Sequence, residues 1–590
     1  MRSKLFYLLP ILIVFVYFLA TPRILLFYDA PEYLQIVTQN SFLTSLGVGH
    51  QPLHPLFIAP LWVFVNAGSF LGISSEYLAN IFALACGVIS IFLFSKLTRL
   101  YLNKKYQGVA LVIYVLFSVI FLVSSNLLVE SLVLPLYLGS IFFLSKYLLQ
   151  QKKKDLYIYL LTILIIPWIH LEAVVWLVAA LTFPVLFGLK GKKKMTKLIL
   201  PFGEMITLSL LMYWLFTKAV ASGLSVPFAI ISAQYASFVT LLGFVRAIRN
   251  TCLSLGGGFG YLTPLIFLVF VLRSKRELLF NLSILLIICC TFISGAHWFG
   301  DFMVRRVLFL APFFSFAIVR LFGKRSWVYV IYLLPIFISN FLLYTKNPPL
   351  LMVGEQQSRL PSDSALVQTH YLRPFTIYPE SCIWVGENNL GTIDEHLKSG
   401  KRVFFDSQAI FAPYLTYVGN NLHITSLGRF GVSESQVLFA RYNFNLVSVE
   451  DPVSRIFTYE IKDTSANPNQ RLLENLSLVT KERAIITGTA KPGEPILIYS
   501  GAWKNTLQRQ RLDYGDIALW IVAFVTGKRE PISWTYADVN GNFSYPVLKN
   551  QLKDIFLEGE IDSFDVLDND TEFTAQNDTQ NNYPLVNIDK

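Results

Sequence analysis

The side chains that could do chemistry are acids, histidines and arginines at the ends of long apolar runs. Asp29 and Glu32 follow the first such run, and Arg305 and Arg306 open a late one. A carboxylate within hydrogen-bond reach of a hydroxyl can take its proton as the oxygen attacks a carbon atom. A guanidinium group matches phosphate oxygens and can meet the charge on a phosphate that leaves. These residue types therefore suit the transfer of a group from a phosphate to a hydroxyl.

Five more polar side chains occupy similar places: His50, His54, Glu130, His170 and Glu172. The two glutamates each stand where an apolar run begins, so they have a second interpretation as helix caps stabilised by the dipole. The first two histidines are predicted to pack or to contact a substrate rather than to bind zinc, because no third ligand stands at a supporting spacing. The two arginines also have an alternative, in which they only snorkel at the membrane surface.

The composition sets the class of protein. Of 590 residues, 54% are hydrophobic and only 15% are charged, whereas about a quarter of a soluble domain is charged. This excludes a soluble enzyme, a disordered chain and a fibrous chain, and it indicates a membrane protein with a soluble part. Residues 1–346 hold 28 basic and 9 acidic residues, and residues 347–590 hold 21 and 29. The basic excess lies in the membrane half, so it reports topology and not a nucleic-acid partner.

The basic clusters select one arrangement of the apolar segments. A spanning helix needs about 20 apolar residues, and basic clusters should lie on the cytoplasmic side. If segment 53–72 lies on the outer surface and the other eleven cross, all six basic clusters fall inside; they lie at 2–4, 96–105, 152–154, 190–197, 273–276 and 320–325. We therefore predict eleven spanning helices, an outer loop from about 23 to 76 that contains an interfacial helix, a cytoplasmic N-terminus, and a C-terminal half outside the cytoplasmic membrane. The candidate side chains then gather on the outer side. The twelve segments are 5–22, 53–72, 77–97, 108–124, 127–147, 156–169, 171–189, 198–218, 259–273, 277–295, 305–321 and 326–345.

The C-terminal half is predicted to hold three parts after the membrane domain of residues 1–346. Residues 347–470 mix β-like runs with helical stretches and indicate an extracytoplasmic α/β domain. Residues 471–560 carry Ala-Lys-Pro-Gly at 490–493 and Asp-Val-Asn-Gly-Asn-Phe at 538–543, and they resemble bacterial immunoglobulin-like modules, which are β-sandwiches. An inserted segment, 507–531, has an apolar run too short to span. The tail, 561–590, is rich in Asp and Asn and is predicted to be disordered.

The order of the motifs resembles the GT-C superfamily of integral-membrane glycosyltransferases, which includes the protein O-mannosyltransferases and the lipid A aminoarabinose transferase. The resemblance covers most of residues 1–345. Four strings carry it, in this order: Asp29-Ala-Pro-Glu32-Tyr33, His50-Gln-Pro-Leu-His54-Pro55, Asn126-Leu-Leu-Val-Glu130 and Arg305-Arg306-Val-Leu-Phe-Leu-Ala-Pro312.

The resemblance implies a function for these strings. The donor would be a sugar on a polyprenyl phosphate, the acceptor a protein, lipid or polysaccharide at the outer face, and the sugar would usually invert. Asp29 would act as the base, with Glu32 beside it as a second catalytic residue. The scheme requires no metal or other cofactor. The substrate-binding residues would be His50, His54, Glu130, His170, Glu172, Arg305 and Arg306.

Two functions of other classes stay open at this point. A flippase or transporter for lipid-linked glycans would need ionisable residues at mid-membrane depth along a path, whereas the acids here are predicted to gather at one face. A non-catalytic surface or assembly protein would act through its immunoglobulin-like module. Such a protein would tolerate the combined loss of Asp29, Glu32 and Arg306.

Overall fold

The structure, a computed structural model, forms two compact units, which are described separately. The first comprises Met1–Pro348 with Tyr417–Asn420, and the second comprises Pro349–Thr416 with Asn421–Lys590. His50, the side chain of Asp29 and the predicted insertion 507–531 lie outside the described residues. The structure describes residues 2–23, 29–48, 53–188, 192–220, 248, 251–252, 254–274, 278–295, 304–346, 356–368, 382–384, 390–407, 415–418, 421–424, 432–452, 456–462, 468–500 and 533–568.

The first unit is built of helices, and each apolar segment predicted from the sequence coincides with one or two of them. Three 3-10 helices, Leu171–Ala173, Val304–Leu310 and Gly323–Arg325, adjoin the longer ones. The α-helices are α1 (Arg2–Ala20), α2 (Asp29–Gln39), α3 (Phe42–Ser45), α4 (Pro55–Ser69), α5 (Ser75–Tyr101), α6 (Lys104–Leu116), α7 (Ser118–Ser125), α8 (Val129–Gln150), α9 (Lys153–Ile169), α10 (Val174–Leu186), α11 (Lys192–Val220), α12 (Leu262–Arg273), α13 (Leu278–Gly295), α14 (Ala311–Phe322) and α15 (Trp327–Lys346).

Several of these helices are long enough to cross a membrane. Among the described residues, four stretches pass by length and composition: Ser75–Tyr101, Val129–Gln150, Leu198–Val220 and Arg305–Arg325. The bent pair α6–α7 makes a fifth, and six shorter apolar helices have 10–17 residues. The predicted interfacial helix, Pro55–Ser69, is one of the shorter ones. The protein is a polytopic, mostly helical membrane protein with sheets at its C-terminus, and the number of eleven spans stays a prediction.

The segment predicted as one helix over 108–124 is instead broken. α6 ends at Leu116, α7 begins at Ser118, and the two are bent by 66°. Phe117 at the corner has an extended backbone, with φ −64° and ψ 127°. Its buried ring packs edge-on against Phe259, with centroids 5.0 Å apart. Neither Pro nor Gly marks the corner, so a hydropathy profile cannot detect a bend that tertiary packing fixes.

The predicted outer loop from about 23 to 76 is largely helical. It contains α2, α3 and α4, and α2 begins at Asp29. One face of α2 is buried, through Ala30, Tyr33, Ile36 and Val37. These positions recur with helical spacing, so the helix forms to bury this stripe. The acid-bearing string 29–33 thus opens a packed helix.

The second unit contains a mixed five-stranded sheet in the order β2-β1-β3-β7-β6. The first three of these neighbours run parallel, and β7 and β6 add antiparallel pairs. A separate two-stranded sheet joins β4 and β5. The elements are β1 (Ala365–Gln368), β2 (Cys382–Trp384), α16 (Leu390–Lys398), β3 (Val403–Asp406), β4 (Leu415–Val418), β5 (Asn421–Ile424), α17 (Val432–Arg441), β6 (Asn443–Asp451), β7 (Ile456–Lys462) and α18 (Pro468–Ser477).

Two three-stranded antiparallel sheets follow, in the orders β11-β8-β13 and β10-β9-β12. The predicted Pro-Gly turn connects β8 to β9, and Gly493 there has φ +75°, which favours glycine. The connected strands lie in different sheets, so the turn is no hairpin. The immunoglobulin-like assignment stays a prediction. The strands are β8 (Arg483–Ala490), β9 (Pro495–Ser500), β10 (Ser533–Tyr536), β11 (Asn542–Leu548), β12 (Ile555–Glu558) and β13 (Ile561–Leu567).

The prediction that a disordered tail begins at 561 is wrong for residues 561–567. They form β13, which pairs antiparallel with β8. Val566 is buried and Phe564 packs against the core, while Asp562 and Asp565 are exposed. The acids lie on the solvent side of an edge strand, where charged residues are common. Because the segment is rich in acids, its composition predicted disorder and not a strand. Residues 569–590 lie outside the described part of the chain.

One buried ion pair joins the connection between two antiparallel strands to helix α18, which packs against β6 of the mixed sheet. Asp538 is fully buried, and its Oδ2 accepts a hydrogen bond of 2.5 Å from Nη1 of Arg471 in α18. Its Oδ1 accepts from the backbone N–H groups of Asn540 and Asn542 at 3.0 and 2.9 Å. Apolar side chains from all three sheets also form one continuous core. The predicted parts 347–470 and 471–560 therefore lie in one compact unit.

Candidate active site

Glu130 lies at the start of α8 and is 1% exposed. Its Oε1 is 3.5 Å from Nε of Arg305 and 3.9 Å from Nε2 of His170. No side chain caps α8 through a hydrogen bond. The described partners of the Glu130 carboxylate are the Arg305 guanidinium and the His170 ring. The helix dipole adds positive potential at the same place.

A second ion pair lies beside the first. Arg306 pairs with Glu172, which belongs to the 3-10 helix Leu171–Ala173. Arg305 and Arg306 are consecutive residues of the 3-10 helix Val304–Leu310. Their side chains are only 17% and 12% exposed. The guanidinium groups are therefore turned toward protein acids and do not extend into solvent.

The histidines link this cluster to the first helix of the outer loop. Nδ1 of His54 donates a hydrogen bond of 2.8 Å to the carbonyl oxygen of Ile169, because a carbonyl can only accept. The His54 ring stacks on His170, with centroids 5.7 Å apart and planes 15° from parallel. The Tyr33 ring meets His54 edge-on at 5.8 Å. Tyr33 lies in α2, so ring contacts run from the helix that begins at Asp29 to the Glu130 pair.

The structure thus brings together His54, Glu130, His170 and Arg305, with the Arg306–Glu172 pair adjoining them in sequence. Glu32 is half-buried on α2. The backbone of Asp29 begins that helix, its side chain is outside the described part, and so is His50. In the described ranges no group of three or more His, Cys, Asp or Glu side chains could hold a metal ion.

The predicted site residues do not include two buried polar side chains, Asn126 and Asn80. Asn126 is 1% exposed, and its Oδ1 is a buried acceptor with no hydrogen-bond partner in the described part of the chain. Oε2 of Glu130 has the same property. Asn80 in α5 is fully buried and bonds to two backbone groups. A polar residue inside an apolar helix is the only sequence signal for Asn80.

The cluster offers two kinds of chemistry. A guanidinium group next to a carboxylate can exchange that partner for a phosphate, because both groups present two oxygen atoms that a guanidinium can bind at once. The spare acceptor atoms at Glu130 and Asn126 can receive hydroxyl or amine donors. Burying such acceptors without partners is costly, so a bound polar ligand would stabilise them.

Comparison with known proteins gives structural likeness without sequence likeness. No family model matches the chain, and no curated protein does either. The fold is similar to the crystal structure of ArnT from Cupriavidus metallidurans bound to undecaprenyl phosphate, with 11% identity, a TM-score of 0.44 and coverage of 79% of this chain and 99% of ArnT. It is also similar to the archaeal oligosaccharyltransferase AglB from Archaeoglobus fulgidus in complex with an inhibitory peptide and a dolichol-phosphate, with 12% identity, a TM-score of 0.40 and 97% of each chain covered.

Both matched proteins are GT-C membrane glycosyltransferases, the superfamily that the motifs resemble.

Proposed function

We propose that the protein is a membrane glycosyltransferase that moves a sugar from a polyprenyl phosphate to an acceptor hydroxyl or amine at the outer face of the cytoplasmic membrane. One observation supports this most: buried Glu130 lies between Arg305 and His170, in ring contact with the helix that begins at Asp29. A buried charge in the helical part of a membrane protein is expensive and is usually retained for function.

The proposed reaction is a direct displacement. Asp29 takes the proton of the acceptor group as its oxygen or nitrogen attacks the anomeric carbon. The bond between that carbon and the phosphate oxygen breaks, and the polyprenyl phosphate leaves with the bonding electrons. The anomeric centre inverts. Arg306 and Arg305 stabilise the charge on the leaving phosphate, and Glu32 orients the acceptor beside Asp29.

The other candidate residues are assigned to substrate binding. Glu130 would accept hydrogen bonds from the sugar hydroxyl groups, and His170 would donate one to the sugar. Glu172 would hold Arg306 in place until the phosphate of the donor binds. His54, fixed by Ile169, would support the His170 ring from behind. His50 belongs to the same predicted outer loop as His54.

The test compares lipids in membranes of the native host carrying the wild-type protein, Asp29→Asn or Glu76→Gln. Lipid mass spectrometry would quantify the polyprenyl-phosphate sugars. We expect one such lipid to accumulate only with Asp29→Asn, because this variant lacks the base but keeps its shape. Glu76→Gln is the matched control, since it makes the same chemical change on the predicted outer side, in the first turn of α5.

An unchanged lipid pool in a well-expressed Asp29→Asn variant would overturn the proposal. A flippase would then be favoured if the lipid accumulated on the inner leaflet when the whole protein was removed. An assembly function would be favoured if removal of the protein left both leaflets unchanged.

A further inference from the structure

We propose that Asn80 is a positioning residue that fixes Pro22, seven residues before Asp29, against Leu127, three residues before Glu130. Asn80 lies in the second turn of α5 and is fully buried. Its Nδ2 donates a hydrogen bond of 2.9 Å to the carbonyl oxygen of Pro22. Its Oδ1 accepts a hydrogen bond of 2.8 Å from the backbone N–H of Leu127.

Both bonded backbone groups lie outside helices, so no intrahelical hydrogen bond satisfies them. Pro22 follows the end of α1 at Ala20. Leu127 lies in the connection between α7 and α8, outside either helix. A buried backbone group without a partner is costly. One side-chain amide, with one donor side and one acceptor side, therefore satisfies two distant segments at once.

The two segments lead directly to the carboxylates of the proposed site. Asp29 stands seven residues after Pro22, and Glu130 stands three residues after Leu127. A bond at each end of one short, rigid side chain limits how far these segments can move apart. This inference rests on the proposed function, because it assigns Asp29 and Glu130 to one reaction.

The test separates the two bonds by substitution. Asn80→Asp keeps the size and the acceptor for Leu127 but loses the donor for Pro22, whereas Asn80→Leu loses both. Ser209→Ala is the matched control. Ser209 is equally buried, and its Oγ donates a hydrogen bond of 2.7 Å to Leu164 that joins α11 to α9. All three variants are made in the full chain in detergent or nanodiscs.

The first readout is kinetic and is normalised to folded protein recovered by size-exclusion chromatography. Asn80→Asp is expected to lower kcat by about 10-fold to 100-fold, because a misplacement of about 1 Å costs that much. The KM for the lipid-linked donor is expected to change by less than about threefold, since donor-binding groups are untouched. Ser209→Ala should change the folded yield at most, with kcat equal to that of the wild type.

The second readout does not depend on activity. Hydrogen–deuterium exchange is followed in the peptides covering 21–32 and 124–132. Asn80→Asp should speed exchange in the first peptide only, and Asn80→Leu should speed it in both. Equal kcat together with unchanged exchange in Asn80→Asp would overturn the inference. If the wild type consumed no polyprenyl-phosphate sugar, the proposed function would fail, and the exchange pattern would still decide whether Asn80 fixes the two segments.

Discussion

Glu130 and Arg305 form a buried pair whose two members depend on each other for stability. Glu130→Gln keeps the shape but removes the buried negative charge beside the Arg305 cation, whose side chain is 17% exposed. Breaking a buried pair from one side costs about 3–5 kcal/mol. We expect the melting temperature of Glu130→Gln in detergent to fall well below that of the wild type, with loss of sugar transfer.

Glu450→Gln serves as the comparison, because the cation that it leaves, Arg359, has a side chain that is 64% exposed. An exposed pair is worth about 1 kcal/mol or less, so this variant should melt close to the wild type. The double variant Glu130→Gln/Arg305→Met should recover stability without activity. Equal melting temperatures for the two single variants would contradict the buried-pair argument.

At the residue scale, the sequence identified the charged members of the site and missed its neutral ones. Glu130, His170, Arg305 and Glu172 are conspicuous because charge is rare in apolar surroundings, and the structure brings them together. Tyr33 and Asn80 are ordinary residue types in sequence. Tyr33 contacts His54, and Asn80 bonds to Pro22 and Leu127. These contacts join segments that are distant in the chain.

At the element scale, the corner between α6 and α7 depends on packing of one aromatic ring. Phe117 is fully buried and contacts Phe259. Phe117→Ala removes that contact and leaves a cavity, which costs about 3–5 kcal/mol. We expect a lower melting temperature in detergent. It should come with faster proteolysis near the corner.

Phe15→Ala is the matched control for this corner, because Phe15 in α1 is 55% exposed. An exposed site without special contacts should change stability by less than about 0.5 kcal/mol. If the two variants melted at the same temperature, the corner would have to be fixed by the backbone and not by the ring.

Hydropathy located the helical segments well because their apolar length dominates the signal. It failed at Phe117, where the bend comes from a partner in another helix, and it failed at α2, which is short and amphipathic. The same limit explains β13. Its apolar residues alternate with exposed acids, and the strand is defined by pairing with β8, which is more than seventy residues earlier.

On the scale of the whole molecule, Arg471 and Asp538 hold the C-terminal unit together. Arg471→Met leaves the fully buried Asp538 carboxylate without its cation, which costs about 3–5 kcal/mol. Because all three sheets share one core, we expect hydrogen exchange to rise together in β6, β8 and β11. A rise confined to the antiparallel sheets would show that they unfold separately.

The comparison for this variant is Arg359→Gln. Arg359 pairs with Glu450 at 2.5 Å, but its side chain is 64% exposed. Surface pairs contribute about 0–1 kcal/mol. Exchange in β6 should therefore stay close to that of the wild type, although the same charge has been removed from the same unit.

The shared core limits how this protein can be redesigned. A chimera with a foreign β-module in place of residues 483–567 would lack Asp538, the partner of Arg471. It would also expose apolar side chains of the mixed sheet. The graft would need to begin before α18 and to supply apolar side chains that pack against the mixed sheet. Exchange of the C-terminal units between such proteins should succeed at 348–349, where the two compact units divide, and fail at 470–471.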